Sequence, residues 1–167
     1  MTTELWQLEA TETARLVRER SVSAVEVTEA HIARIDAVNG KLNAIVVRTD
    51  EHARAQAALV DNGPVTGPLV GVALTTKINT DHVPYAMDNG IAMLKDNMSS
   101  MTHKCIEGLL TDGAVMLGRT NSPSFALRSH TGNDLHGETH NPHGLHLTPG
   151  GSSGGAGSAV ASGMCAI

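Results

Sequence analysis

The sequence predicts an α/β fold in which helices alternate with buried strands, and three observations carry that prediction. Stretches with helical periodicity and capping signals recur within residues 1–62. Two compact apolar runs, Leu69–Thr76 and Ala114–Gly118, have the length and composition of buried strands. No internal repeat or low-complexity block interrupts the alternation, which points to layers of helix on sheet. The 167 residues fit one domain, which on folding buries roughly 70% of the surface its unfolded chain exposes. Within it, residues 1–62 supply N-terminal helices and residues 63–167 begin the α/β core.

Each element has a local reason. Residues 11–20 (Glu12-Thr13-Ala14-Arg15-Leu16-Val17-Arg18) read as a helix. Ser23-Ala24-Val25-Glu26 is a capping box, the serine oxygen taking an orphan N–H and the glutamate returning the bond. The following helix carries Val25, Thr28, Ile32 and Ile35 on one stripe and is expected to stop at Asn39-Gly40. Leu42–Val47 reads as a short strand or an extended link, and the Ala-rich Thr49–Leu59 as a helix. Asn62-Gly63-Pro64 and Gly67-Pro68 mark a loop before the first apolar run, which delivers Lys77 at its end. Residues 79–100 are irregular, and Thr102–Leu110 reads as a helix ending near Asp112-Gly113. The second apolar run follows. Residues 128–151 form a polar loop long enough to suggest a functional role. Ser158–Gly163 reads as a helix of small residues, and Met164–Ile167 as the opening of another strand.

Composition removes several function classes. Net charge is −5 and the 12 Lys and Arg are scattered, so there is no basic patch for nucleic acid. Cys105 and Cys165 show no CxxC spacing and read as reduced thiols, best placed as small core residues. Met1–Trp6 lacks the basic-then-apolar pattern of a signal peptide, and no apolar run approaches the ~20 residues that cross a bilayer. A soluble, cytoplasmic protein without membrane contact is expected. Trp6, Tyr85 and Phe125 are the only aromatics, so the core must rest on aliphatic side chains and Met.

Chemistry-bearing residues fall into three groups. Thr148-Pro149-Gly150-Gly151-Ser152-Ser153-Gly154-Gly155 surrounds two hydroxyls with a backbone free to turn and to present N–H groups. Such a run can be a flexible linker, but here it leads into a helix, where a Gly-rich loop makes an anion or oxyanion cradle. Lys77 at a strand end can be a solvated charge; if buried, desolvation makes its neutral amine usable as a base, and Ser–Lys pairs are a variant of nucleophilic catalysis. The third group, His130, His136, His140, His143 and His146, sits on a Gly-, Asn- and Pro-rich loop without zinc-ligand spacing and reads as surface or structural histidines, not a metal site.

Combined, these residues resemble the amidase signature family, whose members hydrolyse amide bonds with a Ser–Ser–Lys triad. The matching segments are Val70–Asn79 around Lys77, Asp112–Asn121 with its Gly-Arg-Thr-Asn turn, the residues Asn133, Gly137, Thr139, Asn141 and Pro142, and the signature Thr148–Gly155. The resemblance implies a layered mixed sheet flanked by helices, incomplete at the C-terminus. It implies that Lys77 is the neutral-amine base and Ser152 the bridging serine, whose peptide bond is cis, relaying a proton from the nucleophile to Lys77. Ser153 with Gly150, Gly151, Gly154 and Gly155 would hold the loop in shape. No metal or organic cofactor is implied, and the substrate is a small-molecule amide.

Two departures stand out. Ala73 replaces a proline common before the lysine strand. More consequentially, the family's nucleophilic serine and its oxyanion N–H groups lie in a second Gly-Gly-Ser segment downstream, and this sequence holds no Asp-x-Gly-Gly-Ser in the 15 residues that follow Ser152. The expectation is an amide hydrolase missing its nucleophile segment and inactive alone. Two other readings stay open: a non-catalytic module completed by a C-terminal chain or by oligomerisation through its exposed core, and a small-anion binder using the Gly-rich loop.

Overall fold

In the computed structural model, which describes residues 4–64 and 67–167, a three-stranded mixed sheet is sandwiched between helices and a long irregular segment. Met1–Thr3 and the centre of the loop before Gly67, at 65–66, lie outside the described residues. Helix α1 (Ala10–Arg18) buries Thr13, Ala14 and Val17. Helix α2 (Ala24–Leu42) opens on the expected capping box: Glu26 N donates to Ser23 Oγ at 3.1 Å and Ser23 N donates to the Glu26 carboxylate at 2.8 Å. The carboxylate of Asp61, from helix α3 (Asp50–Asn62), accepts from Ala24 N and Val25 N, so three orphan donors of α2 are satisfied.

The expected stop at Asn39-Gly40 is overturned. Asn39 uses its side chain instead, accepting from Ala44 N and Ile45 N and donating to Ile45 O. The helix runs on to Leu42, and Asn43 is the left-handed residue at its end (φ 48°). Asn39 thereby aims the chain into strand β1 (Ile45–Arg48), which settles the segment as a strand.

Strand β3 (Val115–Thr120) is central and buried at all six positions, with β1 antiparallel on one side and β2 (Ala73–Lys77) parallel on the other. The register places Lys77 beside Thr120. Residues alternate between faces as a pleat demands. Ala73, Val115 and Leu117 join the main core of α1, α2 and α3, whereas Leu74 and Met116 pack on the opposite face with Tyr85, Leu109 and Leu110. The strand expected from Leu69 begins only at Ala73, because Val72 N bonds Leu69 O and closes a turn first.

Helix α4 (Lys104–Thr111) matches expectation, but Cys105 on it is exposed; only Cys165 is a core residue. The long loop contains a two-stranded hairpin, β4 (Gly132–Asn133) and β5 (Gly137–Glu138). Helix α5 (Gly154–Ala161) starts four residues earlier than expected. Its glycines hide helical propensity, but Gly155 packs directly on the backbone of Asn121, where a Cβ would stand 2.5 Å from the carbonyl oxygen. Met164–Ile167 is not a formed strand. It nevertheless lies along β2: Thr75 N donates to Ile167 O, and Ala166 N to Ala73 O, both at 2.9 Å. No helix among the described residues is long and apolar enough to cross a membrane.

Candidate active site

Lys77 leaves the sheet at the C-terminal end of β2, and its carbonyl accepts from the guanidinium of Arg119 at 3.1 Å. Arg119 is the largest fully buried side chain, and it also donates to Thr80 O and Ala86 O, both at 2.5 Å. One side chain of β3 thus ties down the last carbonyl of β2 and two of the segment that follows it. Burial pushes the Arg119 guanidinium down from its ordinary value. With no carboxylate in ion-pair contact among the described residues, backbone dipoles stabilise its charge.

The second arm of the site is the turn before α5. Gly150 has φ +81° and the Gly151–Ser152 peptide bond is cis. Gly151 faces the backbone of the long loop: a Cβ there would stand 2.5 Å from Arg128 O and 2.7 Å from His130 N, which only glycine avoids. Ser153 precedes the helix, and Gly154 and Gly155 are buried in its first turn. Thr131 reaches this turn from the long loop, donating to Gly150 O at 2.9 Å and accepting from Gly154 N at 3.0 Å.

The two arms meet. Lys77 Nζ donates to Ser152 Oγ at 2.8 Å and to Ser153 Oγ at 3.2 Å. Residues 75 positions apart in sequence are therefore in hydrogen-bond contact. Burial alone pushes the Lys77 amine below its ordinary value, since no neighbouring charge contributes. An amine so held is easier to deprotonate near neutral pH, and a hydroxyl touching it can pass a proton to it.

Around this contact the long loop is held by side chains bonding to backbone. Asn121 donates to Gly137 O and Thr139 Oγ1, both at 3.0 Å, and Asn133 donates to Asn121 Oδ1 and Ser122 O, both at 2.8 Å. The histidines do not converge. His136 pairs with the buried Asp88 at 3.0 Å, His130 with Glu138, and His140 with Leu145 O. Among the described residues no three His, Cys, Asp or Glu side chains are grouped to hold a metal. Sequence reasoning does not mark Arg119 or Thr131. Arg119 lies within the Gly-Arg-Thr-Asn turn but shows no sign of burial there, and Thr131 stands out only as part of an overlong loop.

Comparison with known proteins places the chain in a family. The family model described as Amidase matches residues 26–167. An indoleacetamide hydrolase from Bradyrhizobium diazoefficiens is 42% identical over 98% of this chain and 32% of its own length. A glutamyl-tRNA(Gln) amidotransferase subunit from Moorella thermoacetica is 39% identical over 96% of this chain and 34% of its own. The solved structure of a bacterial aryl acylamidase, itself described as an amidase signature enzyme, superposes with a TM-score of 0.89 at 32% identity, covering 95% of this chain and 34% of that one. The chain thus spans about one third of the length of the curated relatives it matches. Fold, family model and relatives concur: this chain belongs to the amidase family, the amidase signature enzymes.

Proposed function

We propose that this chain carries the proton-relay part of an amide hydrolase site, with Lys77 as neutral base and Ser152 as the bridging hydroxyl. The observation that carries the reading is the 2.8 Å contact between Lys77 Nζ and Ser152 Oγ, at an amine whose charged form burial disfavours. In the proposed reaction a nucleophilic hydroxyl gives its proton to Ser152 as Ser152 gives its own to Lys77. The alkoxide attacks the amide carbonyl, and the proton returns by the same route to the leaving nitrogen as the C–N bond breaks. Water then opens the acyl ester with the same pair as base. The chemistry calls on no metal or organic cofactor.

The nucleophile and oxyanion donors are assigned to polypeptide outside these 167 residues, because the only Gly-Gly-Ser here is the signature itself. Little turnover by the 167-residue polypeptide alone follows from that assignment. A complementing chain is a second source for the missing segment. One observation favours it: one relative is named as a subunit. The substrate class is a carboxylic amide, in keeping with the names of the relatives. A cytoplasmic location belongs to the same reading and rests on the two free thiols.

Release of ammonia or aniline from a panel of primary amides and anilides by the intact protein tests the assignment. Lys77→Ala and Ser152→Ala are each expected to lower kcat by about 10²–10⁴-fold, with a rate that rises with pH in the unsubstituted protein as Lys77 loses its proton. Full turnover in either variant overturns the reading.

A further inference from the structure

We infer that Thr131 is the positioning residue that holds Ser152 against Lys77, through a single hydroxyl bonded on both sides of the signature turn. The inference rests on the relay proposed above and extends it to a residue outside the signature. Thr131 is fully buried, at 0% exposure, and its Oγ1 donates to Gly150 O at 2.9 Å while accepting from Gly154 N at 3.0 Å. These partners stand two residues before and two residues after Ser152. The clamp therefore closes around the segment Gly151-Ser152-Ser153 without touching either serine. It needs an atom that donates and accepts at once in a space with no access for bulk water, and only a hydroxyl on a short side chain meets that need. The approach is tight, since a Cβ on Gly154 would stand 2.4 Å from Thr131 Oγ1.

Thr131 is itself anchored from behind. Its carbonyl accepts from Thr139 N at 3.0 Å, and Thr139 Oγ1 in turn donates to Asn43 O at 2.7 Å, at the end of α2. The hydroxyl is thus referenced to the helical layer through one strand pair of the loop. Thr148 Oγ1 accepts from Gly150 N at 3.1 Å, but it is a neighbour on the same turn and moves with it. Thr131 is the side chain that ties both flanks of the turn, Gly150 and Gly154, to the long loop. Loss of the hydroxyl strands Gly150 O and Gly154 N and frees the turn to shift. A shift of about 1 Å at a reacting group is enough to cost on the order of 10²-fold in rate.

Peptide-resolved acetylation against pH in the intact protein reads this out, with Lys77 of the urea-unfolded protein as reference. In the folded, unsubstituted protein Lys77 is expected to react with a midpoint below that of the unfolded reference. Thr131→Val should raise the Lys77 midpoint toward the unfolded reference, because a displaced Ser152 lets water reach the amine. Thr131→Ser, which keeps the hydroxyl, should restore it. On any amide the protein hydrolyses, the Val variant should lose about 10²-fold in kcat with KM within about twofold. A cooperatively melting Val variant with unchanged Lys77 midpoint and kcat overturns the inference. If Thr131→Val does not fold, Thr131→Ala decides by the same two readouts. Equal Lys77 midpoints in the folded and the unfolded unsubstituted protein instead sink the neutral-base reading, and this inference with it.

Discussion

The helical layer and the loop that builds the site are stabilised by different physics. Helices α1, α2 and α3 press Val17, Val27, Ile32, Ile35, Ala53 and Ala57 against the sheet, all nearly inaccessible to water. Between Leu117 and Ala159 the core has no hydrophobic member; its buried residues there include Arg119, Thr120, Asn121, Ser122, Thr131, Thr139 and Ser158. Apolar burial is non-directional and roughly proportional to area, so it holds a layer together without setting the position of any one atom. Hydrogen bonds to buried carbonyls and N–H groups are directional and costly to lose. The layer provides stability, and the polar region provides the sub-ångström placement that a Lys–Ser contact needs.

Substitutions in the two regions should separate those contributions. Ile35→Ala, at a site with 0% exposure, is expected to cost about 2–5 kcal/mol of unfolding free energy. Urea titration measures that loss, while Lys77 acetylation of the folded fraction should stay unchanged; a moved Lys77 profile would break the division. Arg119→Met should cost less, about 1–3 kcal/mol as three carbonyls lose their donor and a desolvated charge is removed with them. Unlike Ile35→Ala, it should also disturb Lys77, whose own carbonyl is one of the three. An unchanged Lys77 profile in that variant would place Arg119 on the stability side of the comparison. Ser23→Ala removes one half of the capping box and should cost about 1 kcal/mol, at the low end because Asp61 still caps the same turn.

The smallest effect near neutrality belongs to His31, which sits in the helical layer and should respond to acid. Burial holds its imidazole below the ordinary value, and its Nδ1 lies 3.1 Å from Gly163 O, so Nδ1 is the protonated nitrogen and donates. The unfolded chain binds a proton at about pH 6.5 and the folded chain only at lower pH. Below that value the unfolded state carries more protons, so stability falls as pH drops from about 6.5 toward the lowered folded value and is untouched above it. Melting temperature against pH should show this acid limb, flattened in His31→Leu. An identical limb in the variant would assign the acid sensitivity elsewhere.

Much of the helical layer was legible from local sequence. Ser23 and Glu26 announce a helix start because a capping box needs only residues three apart, and the stripe of Val25, Thr28, Ile32 and Ile35 announces a face because burial repeats with the helical period, Val25 being only partly buried at its edge. Where a local rule fails, a specific contact takes the place of the one the rule assumes. Asn39 looked like a terminator but bonds forward to Ala44 and Ile45, and α5 begins at Gly154 because Gly155 meets the backbone of Asn121. Cys105 read as core and is exposed, since α4 turns that side away from the sheet.

The sequence by itself determined the family, the alternation of helices and strands, and the two segments that carry Lys77 and Ser152, because motif order, capping and periodicity are written in short stretches of chain. Tertiary structure alone decided that those segments touch, that burial lowers the Lys77 amine without help from a charge, and that Arg119 and Thr131 hold the two sides. The physical reason is range. Propensity and periodicity act over a few residues, whereas desolvation and a hydrogen bond between positions 77 and 152 exist only after the sheet, the loop and α5 have packed together.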